Sequence, residues 1–207
     1  MKSMLKDAAI LLIITLFSGL ILGVVYQVTK EPIALAEEKA AKEAYAEVFP
    51  TAAGFSVMEE GMPEDSEWHS AWVEAGFETV DVENALEALD ESGALVGYVI
   101  TVTSHAGYGG DITFTMGVSL DGTLNGISIL SISETAGLGM KAEEVLKPQF
   151  EGKKFPNFIS TKSGAASDNE IDAISGATIT TDAVVTAVNG GLYYFQAQLG
   201  GSSYEAK

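Results

Sequence analysis

Residues 172–199 read DAISGATITTDAVVTAVNGGLYYFQAQL. Apolar residues recur there at steps of four, four and three, at Val184, Val188, Leu192 and Phe195. This spacing is the apolar stripe of an amphipathic helix, and either Thr180 or Thr181 is its predicted N-cap. Thr178 therefore lies close to a helix N-terminus, where free backbone N–H groups and the helix dipole favour a phosphate. Gly176 allows the backbone to turn and a ligand to approach closely.

The turn before this helix carries the pattern D-x-x-S-G-A-T, formed by Asp172, Ser175, Gly176, Ala177 and Thr178. The pattern resembles the flavinylation site of the FMN-binding domain in the G subunit of Rnf electron-transport complexes. The C subunit of the sodium-pumping quinone reductase carries a close relative of it. The resemblance implies that Thr178 holds FMN through a phosphoester bond and that Ser175, Gly176 and Ala177 belong to the cofactor site. It also implies a flavin transferase that uses FAD during maturation and recognises Asp172.

Three further pieces of sequence are similar to elements of the same family. Residues 107–112, GYGGDI, look like its G-Y-x-G-x-I element, and residues 150–153, FEGK, fit its F-x-G-K element. Residues 134–139, ETAGLG, look like its E-T-P-G-L-G loop, with Ala136 in place of proline and Ile132 where the family often has histidine. The resemblance covers about residues 8–199 and implies an α+β domain, an antiparallel sheet with packed helices. The cofactor-binding residues implied in these elements are Gly107, Tyr108, Glu134, Thr135, Gly137, Leu138 and Gly139.

Near the N-terminus, Ala8 to Val28 form an uncharged run. As a helix at 1.5 Å per residue, this run spans about 31 Å, close to the hydrocarbon thickness of a bilayer. A cleaved signal peptide is the competing interpretation, but its apolar region usually has about 7–15 residues. Lys2, Lys6 and the amino terminus precede the run with only Asp7 opposing them, whereas the chain after it begins Lys30-Glu31 and soon turns acidic. The positive-inside rule therefore predicts a cytoplasmic N-terminus, a single-pass anchor in the cell membrane and an extracytoplasmic domain.

Composition excludes several classes of function. The chain has no cysteine, so it has no disulfide, thiolate metal site or iron–sulfur cluster. Its two histidines, His69 and His105, lie far apart in sequence, and we predict no metal site. All basic residues are lysines and the net charge is −18, which argues against binding nucleic acid. Because a free FMN phosphate is often held by arginine, a covalent ester suits this acidic chain.

Three regions are predicted along the chain. Residues 1–30 are the cytoplasmic N-terminus and transmembrane helix, residues 31–50 are a helical stalk with Pro32 near its first position, and residues 51–207 are the extracytoplasmic FMN-binding domain. Within the domain, alternating apolar residues predict antiparallel strands at Ala94–Thr103, Ile112–Val118 and Thr123–Ser133. Residues 51–80 are predicted to be mainly a solvated loop. That loop holds the pair Trp68 and Trp72 and the acidic residues Glu59, Glu60, Glu64, Asp65 and Glu67.

The resemblance implies a membrane flavoprotein subunit that passes electrons through FMN. In the family, the complex couples ferredoxin–NAD electron transfer to sodium or proton movement. The chain itself lacks a G-x-G-x-x-G turn and any cysteine cluster, so ferredoxin and nicotinamide would bind elsewhere. Small residues at Gly19 and Gly23 suit contact with a helix of another membrane subunit. Two alternatives stay open: a C-type subunit of the quinone reductase, and an acidic extracytoplasmic binding domain without redox function.

Overall fold

The computed structural model describes residues 2–58 and 66–200. The predicted acidic loop residues Glu59, Glu60, Glu64 and Asp65 lie outside the described residues. The chain divides into two compact units, residues 1–42 and residues 43–207.

The first unit consists of most of helix α1, which runs from Lys2 to Val48. One helix among the described residues is long and apolar enough to cross a membrane, and it is this one. The prediction that Pro32 begins a separate helix is wrong, because Pro32 lies inside α1. Proline removes one i to i−4 hydrogen bond. The segment after Pro32 is rich in alanine and glutamate, which are strong helix formers and continue the helix.

The second unit contains two sheets. Five antiparallel strands form the main sheet in the order β1-β2-β3-β4-β5, and two parallel strands, β6 and β7, form the small one. The main strands are β1 (Gly54–Val57), β2 (Val80–Leu89), β3 (Leu95–Ser104), β4 (Ile112–Ser119) and β5 (Leu124–Ile132). The remaining elements are α2 (Ser66–Glu74), α3 (Ala142–Val145), β6 (Ile159–Thr161), β7 (Glu170–Asp172) and α4 (Thr178–Gln198). The predicted α+β class and the antiparallel sheet are therefore confirmed.

Helix α4 packs on one face of the main sheet. Its predicted apolar stripe is fully buried, as are Ile100, Phe114 and Met116 on the facing strands. Gly191 lets the helix approach closely, since a Cβ there would lie 2.3 Å from the Met116 sulfur. Each large apolar side chain buried here contributes about 1.5–3 kcal/mol, so this packing fixes where α4 begins.

The opposite face of the sheet is covered by the last turn of α1 and the residue after it. Val48 and Phe49 pack with Leu86, Ala88 and Val99. Glu47 joins this turn to its surroundings, as its carboxylate accepts hydrogen bonds from the Lys147 ammonium at 2.6 Å and from the Ser128 hydroxyl. The bond from Lys147 is the main reason that the Glu47 pKa is lowered, followed by the bond from Ser128.

The region between α1 and β3 departs from the prediction. Residues 51–80 contain β1 and α2 and lead into β2, where a mainly solvated loop was expected. Trp68 and Trp72 lie on α2 with ring centroids 5.6 Å apart, and both rings are buried. Strand β2 was missed because register shifts at Val82/Asn84 and Ala88/Leu89 break its alternation of apolar and polar residues.

Candidate functional site

A cleft of about 500 Å³ opens where α4 begins. Three segments form it: the loop after β3, the loop after β5, and the turn that leads into α4 with the helix's first residues. Its lining residues are Tyr108, Glu134, Thr135, Leu138, Gly139, Gly176, Ala177, Thr178, Ile179 and Thr180. The structure thus brings together residues from motifs that lie far apart in sequence.

The N-terminus of α4 faces this cleft without a side-chain cap. The N-cap residue is Ala177, whose methyl group cannot accept a hydrogen bond, and Thr178 is the first helical residue. The prediction that Thr180 or Thr181 caps the helix is therefore wrong. The first intrahelical bond in this turn runs from the Thr181 N–H to the Ala177 carbonyl at 3.0 Å. The N–H groups of the three preceding helical residues have no partner one turn back in the helix, which makes this end suited to an anion.

The three threonines of this turn differ in accessibility. Thr180 is 1% exposed and Thr181 is fully buried, whereas Thr178 is half-buried and lines the cleft. The Thr181 hydroxyl accepts a hydrogen bond from the Ile174 N–H at 3.1 Å and donates one to the Ala177 carbonyl at 3.0 Å. The Thr181 hydroxyl is thus engaged by bonds within the turn, and Thr178 is the most exposed of the three threonines.

Glu134 connects the loop after β5 to the loop after β3. One carboxylate oxygen accepts a hydrogen bond from the Tyr108 N–H at 2.7 Å. Gly107 and Gly139 leave room for this contact: a Cβ at Gly107 would lie 3.0 Å from the same oxygen, and one at Gly139 would lie 2.7 Å from the Glu134 Cβ. The Glu134 carboxylate therefore joins the two glycine-containing motifs.

Leu138 connects the loop after β5 to the turn before α4. Its Cδ2 atom lies 3.2 Å from the position that a Cβ would occupy at Gly176, whose φ is +78°. Leu138, Tyr108 and Ile179 are 40%, 69% and 53% exposed although all three are large and apolar. Together they give the cleft an apolar rim of the kind that a planar aromatic ring covers.

Most of the predicted cofactor residues line the cleft, but three of them do not. Gly107 lies behind it against Glu134, Ser175 is exposed at the turn, and Gly137 takes a φ of +79° that lets its loop turn. Sequence reasoning missed Ile179 and Thr180 as lining residues. The signal for them was present, because the first turn of a helix whose N-terminus faces a ligand necessarily contributes to the site.

Gln149 is a further residue at this site that sequence reasoning missed. Its side-chain amide accepts a hydrogen bond from the Asp172 N–H at 2.7 Å and donates to the Asp172 carbonyl at 3.1 Å. The Asp172 carboxylate in turn accepts the Ala165 N–H at 2.6 Å. The first residue of the D-x-x-S-G-A-T pattern is thus held on both its backbone and its side chain.

His105 begins the loop that carries Tyr108. Its Nδ1 lies 2.9 Å from an Asp111 oxygen and its Nε2 lies 3.0 Å from an Asp81 oxygen. Both ring nitrogens can donate only in the imidazolium form. The bond to Asp111, followed by the bond to Asp81, accordingly raises the pKa of His105.

The residues present fit FMN. The volume is within the usual range for a small-molecule site, the rim is apolar, and the uncapped helix N-terminus meets a phosphate's requirement for N–H donors. Glu134 is the one charged residue among those that line the cleft. No lysine lines the cleft in the described part of the chain, so hydroxyls and backbone N–H groups have to hold the phosphate. Across residues 2–58 and 66–200, no group of three or more acidic or histidine side chains is placed to hold a metal ion.

Two family profiles and one solved structure are similar to parts of this chain. A family profile described as "FMN-binding domain" matches residues 107–193, and one described as "RnfG N-terminal region" matches residues 1–48. The crystal structure of NqrC from Shewanella oneidensis is similar with a TM-score of 0.46 and 24% identity, over 57% of this chain and 61% of that one.

Two curated relatives match nearly the whole chain. The G subunit of the Na⁺-translocating ferredoxin:NAD⁺ oxidoreductase complex of Acetobacterium woodii is 32% identical over 202 residues, which cover 94% of this chain and 93% of the relative. The G subunit of the ion-translocating oxidoreductase complex of Methanosarcina acetivorans is 29% identical over 204 residues, with 96% and 98% covered. The chain therefore belongs to the family of G subunits of Rnf-type ion-translocating oxidoreductase complexes and contains an FMN-binding domain.

Proposed function

We propose that the Thr178 hydroxyl carries FMN through a phosphoester bond and that the protein thereby transfers electrons within an Rnf-type complex. The observation that carries the proposal is the position of Thr178: it is the first residue of α4, at an uncapped N-terminus that faces a cleft lined by three motif segments. Thr180 and Thr181 are buried, so the most exposed threonine of this turn, Thr178, is also the one at the end of the helix dipole.

Attachment requires a flavin transferase and FAD, because a threonine hydroxyl is a poor nucleophile without activation. The Thr178 hydroxyl loses its proton and its oxygen bonds to the FAD phosphorus nearest the riboflavin. The pyrophosphate P–O bond breaks and AMP leaves, so no electrons are exchanged. The product is a phosphodiester with one negative charge, and the N–H groups of Thr178, Ile179 and Thr180 are placed to donate hydrogen bonds to its oxygens.

The remaining cleft residues orient the cofactor. Leu138, Ile179 and Tyr108 offer apolar surface to the isoalloxazine, and Glu134 holds the Tyr108 backbone in place. FMN, when attached, supplies transfer of one or two electrons. The protein's contribution is the orientation of the ring, the exclusion of water from one side of it and the electrostatic setting.

The place of the subunit follows from its relatives and its anchor. The relative from Acetobacterium woodii is named for Na⁺ translocation and for ferredoxin and NAD⁺; we propose a corresponding complex for this chain, coupled to Na⁺ or H⁺. The anchor presents a concave surface at Gly19, Gly23 and Tyr26, where a helix of another membrane subunit can approach closely. The lysine bias at the N-terminus supports a cytoplasmic N-terminus and an extracytoplasmic domain.

The full chain, produced together with a flavin transferase, tests the proposal. The wild type should show a fluorescent flavin band on a denaturing gel, and mass spectrometry should find the added mass on the peptide that contains Thr178. Thr178→Val keeps the side-chain shape but has no hydroxyl, so it should give no band. Thr181→Ser keeps the buried hydroxyl and should retain the band.

A flavin mass on Thr180 or Thr181 with Thr178 unmodified would refute the assignment. A wild-type chain without any covalent flavin would instead favour an extracytoplasmic domain without this redox function.

A further inference from the structure

The Gln149 side chain forms an unusually complete set of hydrogen bonds for a half-buried amide. Besides its two bonds to the Asp172 backbone, its Nε2 donates to the Val145 carbonyl at 2.8 Å. Both amide hydrogens and the amide oxygen are therefore used. The partners fix the orientation of the amide, because an N–H group has to meet the oxygen and the two carbonyls have to meet the nitrogen.

The pair of bonds to Asp172 takes the place of a neighbouring strand. Strand β7 ends at Asp172 and has β6 on one side only, where the Ala173 N–H donates to the Thr161 carbonyl at 2.7 Å. The Gln149 amide exchanges two hydrogen bonds with Asp172 on the other side, as a strand residue would. An analogous contact holds the segment before β6, where the Asn189 amide exchanges two bonds with the Phe158 backbone.

Asp172 and Thr178 are separated by a short turn whose Ile174 and Ala177 side chains are buried in the core. The Ala177 N–H donates to the Ile174 carbonyl at 2.9 Å, and the Ile174 N–H donates to the Thr181 hydroxyl. Ser175 and Gly176 between them are exposed. Gln149 thus holds the beginning of the turn together with Ala165 and Thr161, and Thr181 holds its end.

We propose that Gln149 is a positioning residue for flavin attachment, which presents the acceptor turn to the flavin transferase in one conformation. The inference rests on the proposed attachment at Thr178. With Gln149 in place, the path of the chain from Asp172 into α4 is set before the transferase binds, so little conformational entropy is lost in the encounter. Without the amide, the turn samples other paths and the hydroxyl spends less time where it can attack.

The experiment compares rates of flavin attachment on purified full-length chains made without the transferase. Each chain is mixed with transferase and FAD, and covalent flavin is followed by gel fluorescence over time. Gln149→Met keeps the length of the side chain and loses all three hydrogen bonds. We expect its maximal rate to fall about tenfold, which corresponds to about 1.4 kcal/mol in the barrier, with the KM for FAD unchanged.

Gln198→Met is the matched control, since Gln198 is exposed at the other end of α4, and its rate should equal that of the wild type. Gln149→Glu keeps only the acceptor for the Asp172 N–H, so its rate of flavin attachment should also fall. This variant replaces Gln149→Met if Gln149→Met does not fold. The positioning role would be overturned if the folded Gln149 variants acquired flavin at the wild-type rate. It would also be overturned if Gln198→Met lost as much of the attachment rate as Gln149→Met. A wild-type chain that acquires no flavin on Thr178 would instead overturn the proposed function.

Discussion

Gly139→Ala should distort the centre of the cleft. The added Cβ would lie 2.7 Å from both the Glu134 Cβ and the Thr180 Oγ1, and 2.9 Å from a Glu134 oxygen. Favourable carbon contacts begin near about 3.5 Å, so the neighbours have to move by several tenths of an ångström. Glu134 can move only by weakening its bond to the Tyr108 N–H, and Thr180 belongs to the first turn of α4.

Overpacking of this kind costs about 1–3 kcal/mol. For a domain of this size, each kcal/mol lowers Tm by roughly 2–4 °C, so we expect a decrease of about 2–12 °C in a thermal unfolding scan. Fluorescence of attached flavin should also change, because both displaced residues line the cleft. Gly54→Ala is the control, since a Cβ at Gly54 meets nothing within 4 Å. A Gly139→Ala protein with the Tm and flavin fluorescence of Gly54→Ala would refute the packing described here.

Three other outcomes are expected. Leu138→Asp should leave the ester intact but shift the flavin potential or expose the ring to quenchers; if neither changes, Leu138 does not contact the ring. Because the folded-state pKa of His105 is raised by Asp111 and Asp81, its contribution to stability should be full below about pH 6.5 and disappear as the pH rises through that raised pKa. His105→Gln should remove this pH dependence of Tm, and high salt should weaken it in the wild type. Protease added to intact spheroplasts should remove the domain, and complete protection would contradict the proposed orientation.

The elements that the sequence predicted well have regular local patterns. The stripe of α4 repeats at helical spacing, and all four of its members are fully buried. Asp121-Gly122 is a sequence typical of a tight hairpin turn; it joins β4 to β5, and Gly122 has a φ of +87°. In each case the pattern is set within a few residues, so no distant contact is needed to interpret it.

The features that were missed depend on side-chain contacts that no local sequence pattern marks. Thr180 and Thr181 are better N-caps than alanine by propensity, yet the Thr181 hydroxyl is used by Ile174 and Ala177, and Thr180 packs beside Gly139. The contact of Thr180 with Gly139 comes from tertiary structure, and the two bonds of the Thr181 hydroxyl are local but follow no capping pattern. The role of Gln149 is equally invisible in sequence, because its partner lies 23 positions away and no local pattern marks the pair.

The charge of the domain gives a physical reason for the covalent attachment proposed at Thr178. Residues 43–140 contain no lysine or arginine, and Glu134 is the charged residue that lines the cleft. A free FMN phosphate is a dianion, and in such surroundings the partial positive charge of one helix N-terminus, about half an elementary charge, is its main attraction. A phosphodiester at Thr178 carries one negative charge fewer and stays in place irrespective of affinity. The uncapped helix N-terminus then has only to orient the phosphate, and the apolar rim only to orient the ring.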